Sequence, residues 1–240
     1  MRRLIVHPED PQARLIQQAV QALRSGDLLI MPTDACAVIA ASLEHKSAID
    51  RLRVARQLND RHLLTLLCAD LSALASYAKV DDVAYRFLKA WTPGPYTFIL
   101  NASKQVPRRV WHPSRRTIGL RVPKHPVTMA VLKAFGEPLL SSSLIWPGET
   151  EPMHDADDIA ERFGGSLEVF LDSGHYGMVP TTVIDLTSGE AEVIREGAGS
   201  LKPLTIDAWT KTGFKSSRSM PSRQFSRSHC TKRRSEEHTS

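Results

Sequence analysis

Residues 10–40, DPQARLIQQAVQALRSGDLLIMPTDACAVIA, decide the fold. Asp10 before Pro11 is a helix-start signal, because a short acidic side chain caps free N–H groups and proline tolerates the first turn. Leu15, Ile16, Ala19, Ala22 and Leu23 then recur at helical spacing and mark one apolar face. Gly26 closes the helix. DLLIM follows at once, a short apolar run bounded by Gly26 and Pro32 that predicts a buried strand. CAVIA continues as extended chain beyond the Pro-Thr-Asp turn.

The alternation carries on outward. Ala48, Ile49, Leu52 and Ala55 predict a second helix, and LLTLLC another buried strand. Asp81 and Asp82 open a helix with Val83, Ala84, Phe87, Leu88 and Trp91 on one face, which TPGP ends before the strand YTFIL. TIGLRV is a strand stopped by Pro123, Val127, Val131 and Leu132 lie on a helix closed by Gly136, and PLLSSSL is a strand. Asp155 to Phe163 is a short acidic helix, and LEVFL, TTVIDL and AEVIR are the last strands. Helices alternating with short apolar strands predict an α/β fold with a partly parallel sheet. The closing strands follow each other closely, which predicts an antiparallel end and a mixed sheet overall.

Composition separates the chain into two parts. Residues 205–240 hold eight Lys or Arg and three Asp or Glu, so residues 1–204 are balanced at 23 of each and the net charge of +5 lies in the tail. That tail is rich in Ser and Arg without apolar periodicity, the composition of a disordered segment. It reads either as a basic RNA-binding arm or as a non-native, frame-shifted read-through, since its ending RSEEHTS resembles a translated sequencing adapter. Residues 1–204 show no linker and are expected to form one domain. No run of about 18 apolar residues suggests a membrane span. The three cysteines, Cys36, Cys68 and Cys230, are odd in number and widely spaced, which points to a reducing, cytoplasmic setting and away from a disulfide framework or zinc site.

Several common catalytic signatures are missing: a Walker loop, a strand-borne GxGxxG, a GxSxG elbow and HExxH. No two of the nine histidines have metal-ligand spacing, so no metal is expected. Asp155, Asp157, Asp158 and Glu161 read as a helix start, where carboxylates favour the dipole. Basic residues beside strand ends and turns carry more chemistry. Residues 101–124 contain seven basic residues and no acidic one, with Trp111 among them. Lys104, Arg108, Arg109, Arg115 and Arg116 therefore read either as an RNA-binding surface with a stacking aromatic or as a solvated loop.

Arg121 is different, because it sits inside the apolar strand GLRVP, where an unpaired charge would cost several kcal/mol or more. It must meet an anionic ligand or a carboxylate. Arg195, in VIREGAG, follows the same logic, and the glycines after it allow close approach to the backbone. Strand-end hydroxyls recur beside these arginines: Thr33, Thr117, Ser141 to Ser143, and Thr181 with Thr182. Thr117 and Arg121 leave the same face of their strand, as do Ser141 and Ser143. Each hydroxyl alone is an ordinary turn or strand residue. Together with converging arginines they suit an anionic, polar ligand such as a nucleotide or an acyl-adenylate.

In order along the chain, PTD at 32–34, Arg56, TPGPYTFIL at 92–100, TIGLRVPKHP at 117–126, PLLSSS at 138–143, PTTVIDL at 180–186 and IREGAG at 194–199 resemble the YrdC/YciO family. The best-known members of that family make threonylcarbamoyl-adenylate from threonine, bicarbonate and ATP for tRNA modification. The resemblance implies a single α/β domain with a twisted open mixed sheet, flanking helices and a large basic cavity. It implies that Arg56, Thr117, Ser141, Ser143 and Arg195 line a nucleotide side, with Arg56 and Ser143 closest to the chemistry. Thr33, Arg121 and Thr181 would lie near a threonyl side. Tightly bound cofactors are not implied, and a synthase would take ATP and Mg as a substrate complex.

The chain also departs from the synthase pattern. Val54 stands where the synthases carry a Lys, Ile145 where they carry an Asn, and Ala35, Cys36, Ala37 and Val38 replace a Thr-x-Tyr-Gly. Losing a polar partner weakens binding of the matching ligand group by roughly one to a few kcal/mol. These slots resemble the YciO branch more than the synthases proper. Three functions follow as expectations. One is hydrolytic removal of the threonylcarbamoyl group from tRNA, with Arg56 and Arg121 holding the anion, Ser143 and Thr33 orienting water or the carbonyl, and Asp34 the nearest carboxylate. Another is adenylate synthesis, with Arg51 or Arg53 standing in for the missing cation. The last is a non-catalytic module for tRNA or double-stranded RNA.

Overall fold

A computed structural model describes residues 1–201, and the sequence-based reading of 205–240 falls outside the described residues. The elements are β1 (Arg2–Ile5), α1 (Ala13–Arg24), β2 (Leu29–Met31), β3 (Val38–Ser42), α2 (Lys46–Ala55), β4 (Thr65–Leu67), α3 (Leu71–Tyr77), α4 (Asp82–Trp91) and β5 (Tyr96–Asn101). They continue with β6 (Thr117–Arg121), α5 (Pro126–Phe135), β7 (Leu139–Ser143), α6 (Ala156–Phe163), β8 (Val169–Asp172), β9 (Thr182–Asp185) and β10 (Glu192–Arg195). The strands form one open mixed sheet in the order β1-β8-β2-β3-β7-β4-β6-β5-β9-β10.

Local chemistry sets most of the boundaries. Gly26, at φ +85°, takes the left-handed conformation that stops α1, and the Asp27 N–H donates back to Ala22 O at 2.9 Å. Asp81 caps α4 by accepting from the Ala84 N–H at 2.8 Å, and Asp155 caps α6 by accepting from Asp157 and Asp158 N–H groups. The start of α1 is later than Asp10-Pro11 predicts. His7 Nδ1 accepts from the Asp10 N–H at 3.0 Å, folding that segment into a turn, and Gln12 becomes the residue before the helix.

The closing strands divide between the two ends of the sheet. β9 and β10 pair antiparallel at one edge, as their short connection requires. β8 instead lies near the opposite edge, between β1 and β2 and parallel to both. β1 and α3 lack the apolar run or helical periodicity that marks the other elements in the sequence.

Helices cover the two faces unequally. On one face, α2, α3, α4 and α6 bury Ile49, Leu52, Leu74, Phe87, Leu88, Ile159 and Phe163 against Ile39, Leu66, Phe98, Leu120, Leu140 and Ile184. On the other, α1 and α5 pack Ile16, Leu23, Val131 and Leu132 onto Leu29, Met31, Ala40, Leu139 and Leu171. These two helices cover the β1–β8–β2–β3 side. Of the remaining strands on that face, this core takes in only Leu139 of β7 and Leu67 of β4, and it puts no helix over β6, β5 and β9. A cavity of about 380 Å³ opens there.

Candidate functional site

Strand periodicity sets the cavity floor. Register places Ala40 opposite Ser141, Ser141 opposite Thr65, Thr65 opposite Gly119, and Gly119 opposite Ile99. These positions share one face, and alternate residues of neighbouring strands add Thr97, Arg121, Ser143 and Val183 to the lining. Gly119 keeps the floor low. A Cβ there would meet Thr65 Oγ1 at 2.8 Å, which the fold has no room for. Arg56, Arg61 and His62 come from the chain between α2 and β4, Ile145 from the chain after β7, and Thr181, Ile194 and Arg195 from the β9–β10 edge.

The arginines are held in different ways. Arg121 is 3% exposed, and its Nη2 donates to Asp34 Oδ1 at 2.5 Å and to Thr33 Oγ1 at 3.1 Å. The carboxylate that its strand position demands is therefore the neighbouring Asp34. Its Nε, and Asp34 Oδ2, stay buried without a hydrogen bond. Arg195 Nε and Nη2 donate to Thr181 O at 3.3 and 3.0 Å, and this turns the guanidinium over the cavity edge. Arg56 has no such anchor. It caps the end of α2, is 8% exposed, and has no carboxylate within salt-bridge distance among the described residues, and its Nε is buried without a partner. Burial lowers its pKa, the opposite of what a carboxylate would do, yet a guanidinium stays charged at neutral pH.

The hydroxyls divide as well. Ser141 donates to Thr65 O at 3.0 Å, and Thr181 and Thr97 share a hydrogen bond of 2.8 Å at the cavity wall. Ser143 lines the cavity beside the Cys36 thiol. Burial pushes that thiol up from its ordinary value, against the pull of Ser143 and the Arg121, Arg195 and Arg56 charges. Cys36 is therefore a neutral thiol and not a nucleophile. Thr33 does not reach the cavity. Its hydroxyl donates to Cys36 O at 2.7 Å and accepts from the Ala35 N–H and Arg121, so it has no capacity left for water or ligand. Thr117 lies on the same face as Arg121 but roughly 13 Å back along β6, outside the lining.

Arg51 and Arg53 do not stand in for the missing cation. Arg51 pairs with Glu168 and gives Nη2 to Gly26 O at 2.6 Å, and Arg53 donates to Asn59 O at 3.0 Å. Arg61 and His62, in the polar loop after α2, line the cavity instead. His62 reaches solvent at the rim but its ring is partly enclosed by the protein, and this desolvation, followed by the charges of Arg56, Arg53 and Arg195, holds its pKa below the ordinary histidine value. Of the departures, Ile145 lines the cavity and Val54 faces solvent at 75% exposure.

The basic stretch forms a separate cleft of about 760 Å³. Lys104, Arg108, Arg115 and Arg116 line it with Trp111, while Arg109 turns away and donates Nη2 to Leu43 O at 2.6 Å.

An open mixed sheet with one face half covered, and arginines and hydroxyls over the uncovered half, defines an α/β protein with a cationic cavity. The Sua5_yciO_yrdC family model, described as "Telomere recombination", matches residues 21–197, and the chain belongs to this family. Protein YciO of Escherichia coli K12 is 46% identical over 198 residues, spanning 82% of this chain and 96% of that one. The crystal structure of E. coli YciO superposes with a TM-score of 0.82 at 45% identity, over 85% of this chain and 99% of that chain. More distant are the threonylcarbamoyl-AMP synthase of Vibrio vulnificus YJ016 and Sua5 of P. abyssi. The synthase is 29% identical over 65% of this chain and 84% of its own. The Sua5 structure, complexed with L-threonine, has a TM-score of 0.78 at 27% identity and covers 85% of this chain and 59% of that chain. The chain is thus a YciO-type, YrdC-like protein related to threonylcarbamoyl-AMP synthases.

Proposed function

We propose that the cavity binds the threonylcarbamoyl-adenosine group of a modified tRNA and removes the threonylcarbamoyl group by hydrolysis. The observation that carries this reading is Arg56. A largely buried guanidinium without a carboxylate favours a bound anion, and the serine and threonine hydroxyls around it suit a polar acyl ligand. A threonine carboxylate or a nucleotide phosphate supplies that anion. The family's link to threonylcarbamoyl-AMP, and the L-threonine complex of the related Sua5, support the class of ligand.

The same residues divide the chemistry. Arg56 and Arg195 hold the anion, and Ser143, whose hydroxyl is not committed to the backbone as that of Ser141 is, donates to the carbonyl oxygen, where charge develops in the transition state. His62 is neutral at pH 7, lies at the mouth where water enters, and is the base for that water. Water adds to the carbonyl carbon as its proton passes to His62. The bond to the adenine amino nitrogen then breaks, and that nitrogen takes the proton back. The products are an unmodified adenosine in the RNA and an N-carboxythreonine.

Incubating the protein with modified tRNA, and separately with threonine, bicarbonate and ATP, and following both by mass spectrometry tests this. Loss of the group from tRNA is the expected result. Adenylate and pyrophosphate in the second reaction, with modified tRNA unchanged, would establish the synthase reading in its place, with ATP and Mg as its substrate complex and Arg61 as the added cation at the cavity.

A further inference from the structure

We propose that the cleft at the far end of the β5–β6 hairpin is a second site, which docks the phosphate backbone of an unpaired RNA segment while a nucleoside of the same strand enters the cavity. The partner's being RNA rests on the reading of the cavity given above.

The cleft is built on the strands that floor the cavity. Thr97 and Ile99 of β5 line the cavity, and Asn101, next on the same face, lines the cleft. On β6, Arg121 serves the cavity and Arg116, just before Thr117, serves the cleft. Two residues along β5 are roughly 7 Å and the five from Arg121 to Arg116 roughly 16 Å, so one strand segment of a nucleic acid can span both sites.

Its charge is free. Lys79, Lys104, Arg108, Arg115 and Arg116 are all exposed, and none has a carboxylate within salt-bridge distance among the described residues. Five cations around one concavity, with no anion among them, repel each other unless a polyanion neutralises them. Arg109 is adjacent to these in sequence but not in space. The fold removes it and adds Lys79 from the end of α3.

The walls are also held in shape. Arg116 sits at φ +56°, a left-handed conformation unusual for a side-chain-bearing residue, with its N–H on His112 O at 2.9 Å and its carbonyl accepting from the Ala102 N–H at 3.0 Å. Trp111 Nε1 donates to Val106 O at 2.8 Å, which fixes the indole edge and leaves the half-buried ring as part of the wall. An aromatic wall among cations is the arrangement that receives a base beside its phosphates. A cavity of about 380 Å³ admits a nucleoside only when it is out of the base stack, which costs least in a strand that is already unpaired.

The test is fluorescence anisotropy with a labelled single-stranded anticodon-loop RNA lacking the modification, read across a salt series. The variants are Lys104→Gln/Arg108→Gln/Arg115→Gln/Arg116→Gln and the control Arg109→Gln. The cleft variant is expected to lose at least ten-fold in affinity, with its log-affinity against log-salt slope shallower by about two to three. Arg109→Gln should change affinity by less than two-fold. Circular dichroism checks that the cleft variant, altered only at exposed positions, is folded. Cleavage of the free modified nucleoside reports on the cavity separately, and the cleft variant should leave its rate unchanged. Loss of RNA affinity in the cleft variant supports the cleft even where the wild type leaves the nucleoside intact, a result that would count only against the cavity reading. A folded cleft variant that binds RNA like the wild type, or a loss matched by Arg109→Gln, would overturn the cleft.

Discussion

Arg121 Nη2 lies 2.5 Å from Asp34 Oδ1, and the two side chains are only 4% and 13% exposed. The pair joins the β2–β3 loop to β6 and holds Arg121 under the cavity. Removing the carboxylate would leave a buried, uncompensated guanidinium. Asp34→Ala is therefore expected to destabilise the fold by about 3 kcal/mol or more, read as a lower urea midpoint. A loss below about 1 kcal/mol would show that the pair does not hold Arg121.

Arg56 reverses that expectation. Its guanidinium has no carboxylate partner, so the free protein retains a buried charge at a cost to its own stability. Arg56→Met keeps the length and removes the charge. We expect it to raise the unfolding free energy by about 1–2 kcal/mol while abolishing turnover, since replacing poorly compensated buried charge by hydrocarbon is often stabilising. Thermal unfolding without ligand measures it, and a lower midpoint in the variant would count against the role given to Arg56.

The two departures from the synthases are unequal. Ile145 lines the cavity, whereas Val54 is a solvent-facing residue on α2. Ile145→Asn is expected to raise adenylate formation from threonine, bicarbonate and ATP more than Val54→Lys does. Val54→Lys should leave stability within about 0.5 kcal/mol. Pyrophosphate release checks both, and a larger gain from Val54→Lys would refute the ranking.

Acid should weaken the fold through His125. Burial holds its pKa below the ordinary value of 6.5, and its Nδ1 is buried without a partner. A folded pKa lower than the unfolded one means that the unfolded chain binds more protons below pH 6.5. Stability is thus full above that pH and declines as pH falls toward the folded pKa. Urea unfolding at pH 7.5 and 5.5 should show a smaller loss in His125→Gln than in the wild type, and equal losses would exclude His125 as a source. The same direction at His62 predicts that turnover persists below pH 6.5, and that His62→Gln lowers kcat by roughly 10²-fold or more.

Regular elements were legible because their periodicity is local. The face of α1 and the buried run of β2 need only their own residues. β1 escaped because RRLI is an edge strand with two arginines and no fully buried residue, held through Arg3 and Asp172, which stand 169 positions apart. α3 escaped because it is seven residues long and buries only Leu74. Site residues on strands could be read from alternation, as with Arg121 and Ser141. Those depending on a distant partner could not. Nothing near Arg51 reveals that Glu168 draws it off the cavity, and nothing near Thr33 shows that its hydroxyl is used up inside its own turn. Arg61 and His62 sit in a polar loop without periodicity, and only the closing of β4 beside β7 brings them to the site.

Arg56 stays buried and unpaired in the free protein, which fits a guanidinium kept for an anionic threonylcarbamoyl-adenosine ligand. Calorimetric titration of threonylcarbamoyl-adenosine monophosphate into the wild type and Arg56→Met, with hydrolysis blocked in both by His62→Gln, tests it most directly. Loss of a charge-assisted hydrogen bond corresponds to roughly 10- to 150-fold weaker binding, and we expect the Arg56→Met protein to show a loss in that range. Equal affinity in the two proteins would contradict the account.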